Sequence, residues 1–378
     1  MGILGEADAR RIRGAGVNHV LPATPSVQLS AGTSTGAGTS VALVEACRTL
    51  SSQLSDGRIG RAEVLLPQGA DGAAASADGL SVVHAGRWGA IVGELTSRSD
   101  CDIYIGFADR LPLTPKHDQF RVMVVQNPHL YEASDAPSLG TMARMVRSRW
   151  ARWSATNADL VVCATEASRA ALLAAIPGVD PERVVVRPIR PATPAPKLEV
   201  AEIIRHVLLL GDLYAYKRFD AALDGITAWA GTRSDSEAIR VVHCGSARDE
   251  RAATDFEAAV SRARAAGITV EQRGAVAHDD AMAALLDSDV LVSASEVETQ
   301  GLTILEALAV GVPVVARGIA PVLDVAGDAI EAFPVDGGPQ DIATALTGIE
   351  GTSERQELLR RGLDRAQMAT GWDLLPDR

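Results

Sequence analysis

The sequence has few cysteines, no long apolar stretch and a deficit of positive charge, and each shortage excludes a class of protein. Four cysteines occur in 378 residues and no two form a CxxC pair, so neither a zinc site nor a redox motif is expected. The longest apolar stretch, residues 302–316, is interrupted by Glu306. It falls short of the about 20 residues that a membrane-spanning helix needs.

Charge and the N-terminal residues narrow the function further. The chain has 36 Lys and Arg against 48 Asp and Glu, a formal net charge of −12, and no basic stripe for nucleic acid. No basic region followed by an apolar segment marks a signal peptide, and Glu6 disfavours N-myristoylation. We therefore expect a cytoplasmic protein without a transmembrane segment, for which peripheral contact with a membrane stays open.

Short β-branched runs alternate with longer segments rich in Ala, Leu and Arg, which predicts doubly wound parallel sheets. The length predicts two domains, and four prolines within residues 188–197 indicate a linker. The predicted parts are an N-terminal Rossmann-like domain at 1–190, a Pro-rich linker at 191–204, a C-terminal Rossmann-like domain at 205–355, and a helical segment at 356–378 that can pack back on the first domain. Two such domains facing a central cleft would bind ligands at the carboxyl edges of their sheets.

The patterns locate the individual elements. Strands are predicted at 63–66, 103–105, 121–125, 160–163, 184–186, 206–210, 239–244, 269–273, 290–293 and 313–315. Helices are predicted at 40–54, 141–154, 166–175, 220–230, 249–266, 280–287, 303–310, 340–347 and 354–368.

The most informative motif runs from Glu298 to Glu306, between a predicted strand and a predicted helix. Gly301 permits a tight turn, and the backbone N–H groups of Leu302 and Thr303 would then lie at a helix N-terminus that suits a phosphate. One carboxylate can reach a sugar while the other reaches a ribose. From spacing alone, a capping acid followed by an exposed helix acid is the simpler interpretation of the pair.

Two further patterns also lie at predicted strand ends. Lys217 follows a strand that ends at Gly211, where a cation could neutralise a diphosphate. Another strand ends at Arg273 and Gly274, where the backbone could pass beside a flat base. Taken alone, the first pattern also fits a solvated lysine before a helix, and the second fits an ordinary strand end.

The order and spacing of these motifs resemble a known family. From about His206 to Gly338 the chain resembles the retaining family 4 glycosyltransferases, also called glycosyl transferases group 1, which have the GT-B fold. The resemblance is carried by the strand ending in Gly211 with Lys217 after it, and by residues 295–315, which read SEVETQGLTILEALAVGVPVV. The segment at 158–165 and Trp372 match the family more weakly.

The resemblance implies roles for the residues of these motifs. Lys217 would contact the donor diphosphate, and Glu298 would contact the transferred sugar beside the backbone of Gly301–Thr303. Glu306 would hold the ribose hydroxyls. Lys217 and Glu298 are therefore the expected catalytic residues of a nucleotide-sugar-binding second domain.

The remaining expected site residues are less specific. Arg273 and Gly274 would lie near the base of the donor. A glycine-rich turn and a loop of the first domain would face the cleft on the acceptor side. The residues expected there are Gly36, Gly38, Asn127 and His129.

The implied function is transfer of a sugar from a UDP- or GDP-sugar to a hydroxyl of a glycan, a lipid-linked acceptor or a small molecule, with retention of configuration. No cofactor and no metal are expected, because the triplet Asp287-Ser-Asp289 fits a helix end and strand start better than a metal motif. The chain departs from the family at Asp212, where the family has arginine, and at Gln300, where it has phenylalanine. Asp212 favours a non-catalytic, glycosyltransferase-like partner subunit as the alternative, and a GT-B epimerase or phosphorylase is a further alternative.

Overall fold

The computed structural model describes residues 10–13, 18–31, 37–68, 70, 77–85, 100–107, 109–114, 118–126, 141–234, 238–368 and 374–375. These residues form two compact units. The first extends to Ile189 and includes Leu374 and Leu375, and the second begins at Arg190 and extends through the last helix. The Pro-rich residues 188–204 contain no helix or strand.

The first unit contains a seven-stranded parallel sheet with the order β5-β4-β3-β6-β7-β8-β9, beside a separate antiparallel pair, β1 and β2. Its strands are β1 (Arg10–Arg13), β2 (Asn18–Leu21), β3 (Ser26–Ser30), β4 (Arg61–Pro67), β5 (Ser81–Ala85), β6 (Ile103–Gly106), β7 (Phe120–Val124), β8 (Leu160–Cys163) and β9 (Val184–Val186). Its described helices are α1 (Ala37–Ser55), α2 (Thr141–Asn157) and α3 (Glu166–Ala175).

Strand β3 was not predicted, although it lies inside the sheet. It pairs with β4 on one side and with β6 on the other. Its sequence contains Gln28 and Ser30, both buried, so it is not the continuous apolar run that sequence patterns detect. The amide of Gln28 donates to the Glu63 carboxylate of β4 at 2.8 Å, and this contact satisfies a polar group inside the sheet.

The second unit contains a six-stranded parallel sheet with the order β12-β11-β10-β13-β14-β15. Its strands are β10 (His206–Leu210), β11 (Arg240–Cys244), β12 (Thr269–Gly274), β13 (Val290–Ser293), β14 (Val314–Arg317) and β15 (Glu331–Phe333). Its described helices are α4 (Phe219–Ala230), α5 (Glu250–Ala265), α6 (His278–Asp287), α7 (Leu302–Ala309), α8 (Ala320–Ala326), α9 (Pro339–Gly348) and α10 (Thr352–Met368).

The strand order of this sheet reverses beside β10. The chain passes from β10 to β11 and β12 in one direction, and then returns to β13 on the other side of β10. Hydrophobic clusters cover both faces, and the adjacent residues Leu208 and Leu209 of β10 belong to different clusters, as alternation along a strand requires. The carboxyl ends of β10 and β13 therefore form a topological switch point, where doubly wound sheets bind ligands.

A buried arginine fixes the chain that enters β10. The guanidinium of Arg355, in α10, donates to the carbonyl oxygens of Ile349 and Glu350 at 2.8 and 2.5 Å, and to those of Ala201 and Glu202 at 2.7 and 2.9 Å. Helix α10 packs mainly against α7 of the same unit.

None of the helices in the described ranges combines the length and apolarity that crossing a bilayer requires.

Candidate functional site

The ends of β10, β11 and β12 are tied together by their backbones. The N–H of Gly211 donates to the Cys244 carbonyl, and the N–H of Gly245 donates to the Gly274 carbonyl, both at 2.8 Å. A Cβ atom added to Gly245 would lie 1.9 Å from the carbonyl oxygen of Gly211. Glycine at 245 therefore lets two loops at the carboxyl edge of the sheet touch backbone to backbone.

Lys217 and Glu298 meet at the switch point. A single 3₁₀ turn, Ala215–Lys217, follows β10, and the Lys217 ammonium lies 2.5 Å from a carboxylate oxygen of Glu298 in the loop after β13. The side chains are 19% and 13% exposed, so the pair is largely removed from water. The N–H of Glu296 donates to the Tyr216 carbonyl at 2.8 Å and holds the two loops together.

Lysine is itself rare in this chain. Only three of the 36 basic residues are lysines, at positions 116, 197 and 217. Lys197 donates to the Ser288 carbonyl at 2.6 Å and stabilises the chain before β10, whereas residue 116 lies outside the described residues. An ammonium is a compact point charge that arginine does not replace, so this scarcity is a sequence signal for Lys217 that spacing alone did not provide.

Helix α7 begins without a cap. Gly301 adopts the left-handed conformation, with φ of 78°, and no side chain caps the helix. The N–H groups of Ile304 and Leu305 both donate to the Gly301 carbonyl. Those of Leu302 and Thr303 donate to no residue that the structure describes. Two N–H donors and the positive end of the helix dipole are thus available beside Glu298.

Glu306 is buried one turn inside α7. It is 3% exposed, and its Oε1 atom accepts no hydrogen bond from a described residue. The Nδ1 atom of His278, at the start of α6, lies 4.0 Å from this oxygen. Burial raises the pKa of Glu306 to about 8. Reading this residue as an exposed helix acid is therefore wrong, and its carboxyl group lacks the hydrogen-bond donors that a ligand could bring.

Asp212, which the sequence analysis singled out as an anion where a cation is expected, forms an ion pair with Arg248. It is 9% exposed, and its two oxygens accept from the Ser246 N–H at 2.8 Å and from Nε of Arg248 at 3.0 Å. The sequence analysis did not identify Arg248. The available signal was its position, four residues beyond the end of β11 and at the same sheet edge as Lys217.

Other predicted site residues do not join this group. The Arg273 guanidinium donates to Glu271 of its own strand at 2.7 Å, and its side chain borders a small cavity with His206 and Ser288. Gly274 ends β12, which β11 separates from β10. The placement of Arg273 and Gly274 near a base stays a prediction.

The acceptor-side predictions fall largely outside what the structure covers. Gly38 lies in the first turn of α1, whereas Gly36, Asn127 and His129 lie outside the described residues.

Asp289, of the Asp-x-Asp triplet, accepts hydrogen bonds from the N–H groups of Arg205 and His206 at 2.8 Å. No group of three or more His, Cys, Asp or Glu side chains within the described ranges is arranged to hold a metal ion.

Comparison with solved structures decides the fold. HepE of Anabaena, in complex with UDP and glucose, aligns over 93% of this chain and 96% of its own, with 16% identity and a TM-score of 0.68. Sucrose-phosphate synthase of Thermosynechococcus elongatus aligns over 92% and 95%, with 13% identity and a TM-score of 0.67. The fold is GT-B. The predicted α/β class with two Rossmann-like domains is confirmed.

The second GT-B domain also matches at the level of sequence. Residues 204–349 match the family model for glycosyl transferases group 1, and this range includes Lys217, Glu298 and Glu306. A search of curated proteins gave no significant match. The match supports the resemblance inferred from the motifs over the segment that carries them.

Proposed function

We propose that this protein is a retaining glycosyltransferase that moves a hexose from a nucleotide-sugar donor to an acceptor hydroxyl. The observation that carries the proposal is the convergence of Lys217, Glu298 and the uncapped start of α7 at the switch point of a GT-B domain. The match of residues 204–349 to glycosyl transferases group 1 supports it. UDP-glucose, which HepE binds in one solved complex, is the first donor to test.

The donor diphosphate would bind between Lys217 and the N–H groups of Leu302 and Thr303. Lys217 pairs with Glu298 in the structure. A bound donor would exchange these partners, because the ammonium would move to a phosphate oxygen and the freed carboxylate would accept from a sugar hydroxyl. Charge that develops on the departing diphosphate would then face a cation and a helix N-terminus.

The ribose would bind at Glu306. An unsatisfied buried acceptor costs about 1–3 kcal/mol, and two vicinal hydroxyls are donors that could satisfy it. Donor binding would therefore supply hydrogen-bond donors to this buried oxygen. Arg273 and Gly274 are retained as the proposed base contacts, and Gly36, Gly38, Asn127 and His129 as the proposed acceptor side.

In the reaction, the bond between the anomeric carbon and the phosphate oxygen breaks while the acceptor oxygen bonds to that carbon from the same face. The acceptor proton passes to the departing phosphate oxygen, so the products are the glycoside and a nucleoside diphosphate. This course retains the anomeric configuration and uses no metal or cofactor. We extend the proposal to a cytoplasmic enzyme of the retaining family 4 type.

Calorimetric titration with UDP-, GDP- and ADP-glucose, followed by an assay of nucleotide release with glycan, lipid-linked and small-molecule acceptors, tests the proposal. We expect one donor to bind and its nucleotide to be released only when an acceptor is present, with an α-linked product by NMR. A protein that binds none of the donors would instead support the non-catalytic subunit. Nucleotide release that needs no acceptor would support the epimerase or phosphorylase.

A further inference from the structure

We infer that Arg248 is a second cation of the diphosphate site and that Asp212 positions it. This inference rests on the proposed function, because it concerns the same ligand. It goes further by assigning a ligand contact to a residue of the β11–α5 loop, and a positioning role to the aspartate that replaces a cation after β10.

The backbone brings the two loops to one edge of the sheet. Leu213, after β10, forms an isolated parallel bridge with Ala247, after β11. The Leu213 N–H donates to the Ser246 carbonyl at 2.8 Å, and the Arg248 N–H donates to the Leu213 carbonyl at 3.2 Å. The backbone of Arg248 is therefore hydrogen-bonded to the loop after β10. Lys217 lies in that loop, four residues after Leu213.

Most N–H donors of the Arg248 guanidinium have no acceptor among the described residues. Of its five N–H groups, the one on Nε is taken by Asp212, and no described residue accepts from the terminal nitrogens. The side chain is 47% exposed. By contrast, Arg262 uses both Nε and a terminal nitrogen on the two oxygens of Asp224. Free terminal nitrogens on a fixed arginine match the fork geometry that binds phosphate oxygens.

Asp212 holds this arginine in place, and the guanidinium in turn neutralises the charge of the Asp212 carboxylate. Its oxygens are committed to the Ser246 N–H and to Arg248, so it does not stand alone against a diphosphate. The rings of Tyr214 and Tyr216 stack with centroids 5.4 Å apart, between Asp212 and Lys217 in the chain. Burial first, and then the charges of Glu298, Tyr214 and Asp212, raise the pKa of Tyr216. Glu298, the partner of Lys217, and Asp212, the partner of Arg248, thus both raise the pKa of Tyr216.

Titration of the full-length protein with UDP and with uridine tests the ligand contact. Arg248→Ala should weaken UDP binding by about 10–100-fold, the range for a hydrogen-bonded charged group, and leave uridine binding unchanged. Arg248→Lys should restore part of the loss. Arg251→Ala is the matched control, because Arg251 lies on the surface of α5 with an 87% exposed side chain, and it should bind UDP as the unchanged protein does.

The outcomes separate this inference from the proposed function. If Arg248→Ala binds UDP normally, or loses UDP and uridine equally, the inference is overturned while the proposed function stands. If the unchanged protein binds none of UDP, GDP and ADP, the proposed function fails and the inference fails with it. A preserved melting temperature in Arg248→Ala keeps these outcomes from being attributed to unfolding.

Asp212→Asn tests the positioning role through the sign of its effect. Simple removal of a negative charge would strengthen UDP binding, whereas loss of the group that holds Arg248 should weaken it. We expect weaker binding, and no further weakening when Asp212→Asn is added to Arg248→Ala, since the two residues act as one unit. Tighter binding, or additive losses, would overturn the positioning role.

Discussion

The ammonium of Lys217 lies 2.5 Å from the carboxylate of Glu298, although 81 residues separate them in the chain. The first residue ends the 3₁₀ turn after β10, and the second stands in the loop after β13. Because parallel strands β10 and β13 are neighbours, their carboxyl ends bring two distant segments into one site. In the proposed function, a phosphate oxygen would replace Glu298 as the partner of Lys217, and a sugar hydroxyl would replace Lys217 as the partner of Glu298.

We expect Lys217→Ala to lower turnover by about 10²–10³-fold at saturating donor, the order reported for losing one group that stabilises transition-state charge. Lys217→Arg should recover only part of the activity, because the guanidinium fork differs in size and geometry from an ammonium. Initial rates of nucleotide release, with melting temperatures for each variant, provide the measurement.

Arg262→Ala is the control for this series, since Arg262 forms an exposed pair with Asp224 in the same domain. It should keep the turnover of the unchanged protein. If Lys217→Ala did so as well, Lys217 would have no part in the mechanism.

A second prediction concerns the pH dependence of stability. Burial raises the pKa of Glu306 from 4.5 to about 8, so between these values the folded state holds a proton that the unfolded chain has released. Stability from this group is then full below pH 4.5 and falls by up to about 1.4 kcal/mol per pH unit as the pH rises towards 8. Glu306→Gln removes this titration. From urea denaturation, the free energy of unfolding of Glu306→Gln minus that of the unchanged protein should therefore be more positive at pH 8 than at pH 5.5.

Glu357→Gln is the control, because arginine contacts lower the pKa of the exposed Glu357 to about 2, outside this pH interval. His278→Ala tests whether the pH effect persists without the imidazole that lies 4.0 Å from Glu306. The same carboxyl group should also release a proton at pH 7 when ribose hydroxyls bind it. Binding enthalpies of UDP that are equal in Tris and phosphate buffers, after correction for other groups, would contradict the ribose role.

Gly245→Ala should destabilise the second domain and weaken UDP binding. The added Cβ would meet the Gly211 carbonyl at 1.9 Å, so the loops after β10 and β11 must separate. We expect a loss of at least about 1–3 kcal/mol, the range for overpacking, measured by urea denaturation. Gly338→Ala is the matched control, because a Cβ there meets no atom within 4 Å. Equal stabilities of the two variants would count against the close approach.

The elements that the sequence predicted well are those whose pattern is local. Strand β13 and helix α3 were predicted with the bounds that the structure has, because each combines a strong apolar pattern with turn or capping residues at its ends. Helix α8 was missed because Pro321 in its first turn reads as a break, although proline is tolerated there. The edge strand β15 was missed because its three residues include a glutamate, whereas the equally short edge strand β9 consists of three valines and was predicted.

The candidate site follows the same division. Gly301 and Glu306 were found because a turn residue and a helix acid at fixed spacing are local features. The partner of Asp212 lies 36 residues further along the chain, and only the pairing of β10 with β11 brings it near. The burial of Glu306 is likewise a product of tertiary packing, which spacing does not encode.

The four carbonyl contacts of Arg355 set a practical limit on dissecting this chain. An expression fragment cut at the first residue of β10 would discard the carbonyls of Ala201 and Glu202 and leave a fully buried guanidinium with half of its acceptors. An autonomous fragment of the second domain must therefore start upstream of Ala201, where hydrogen bonds rather than the strand boundary define its beginning.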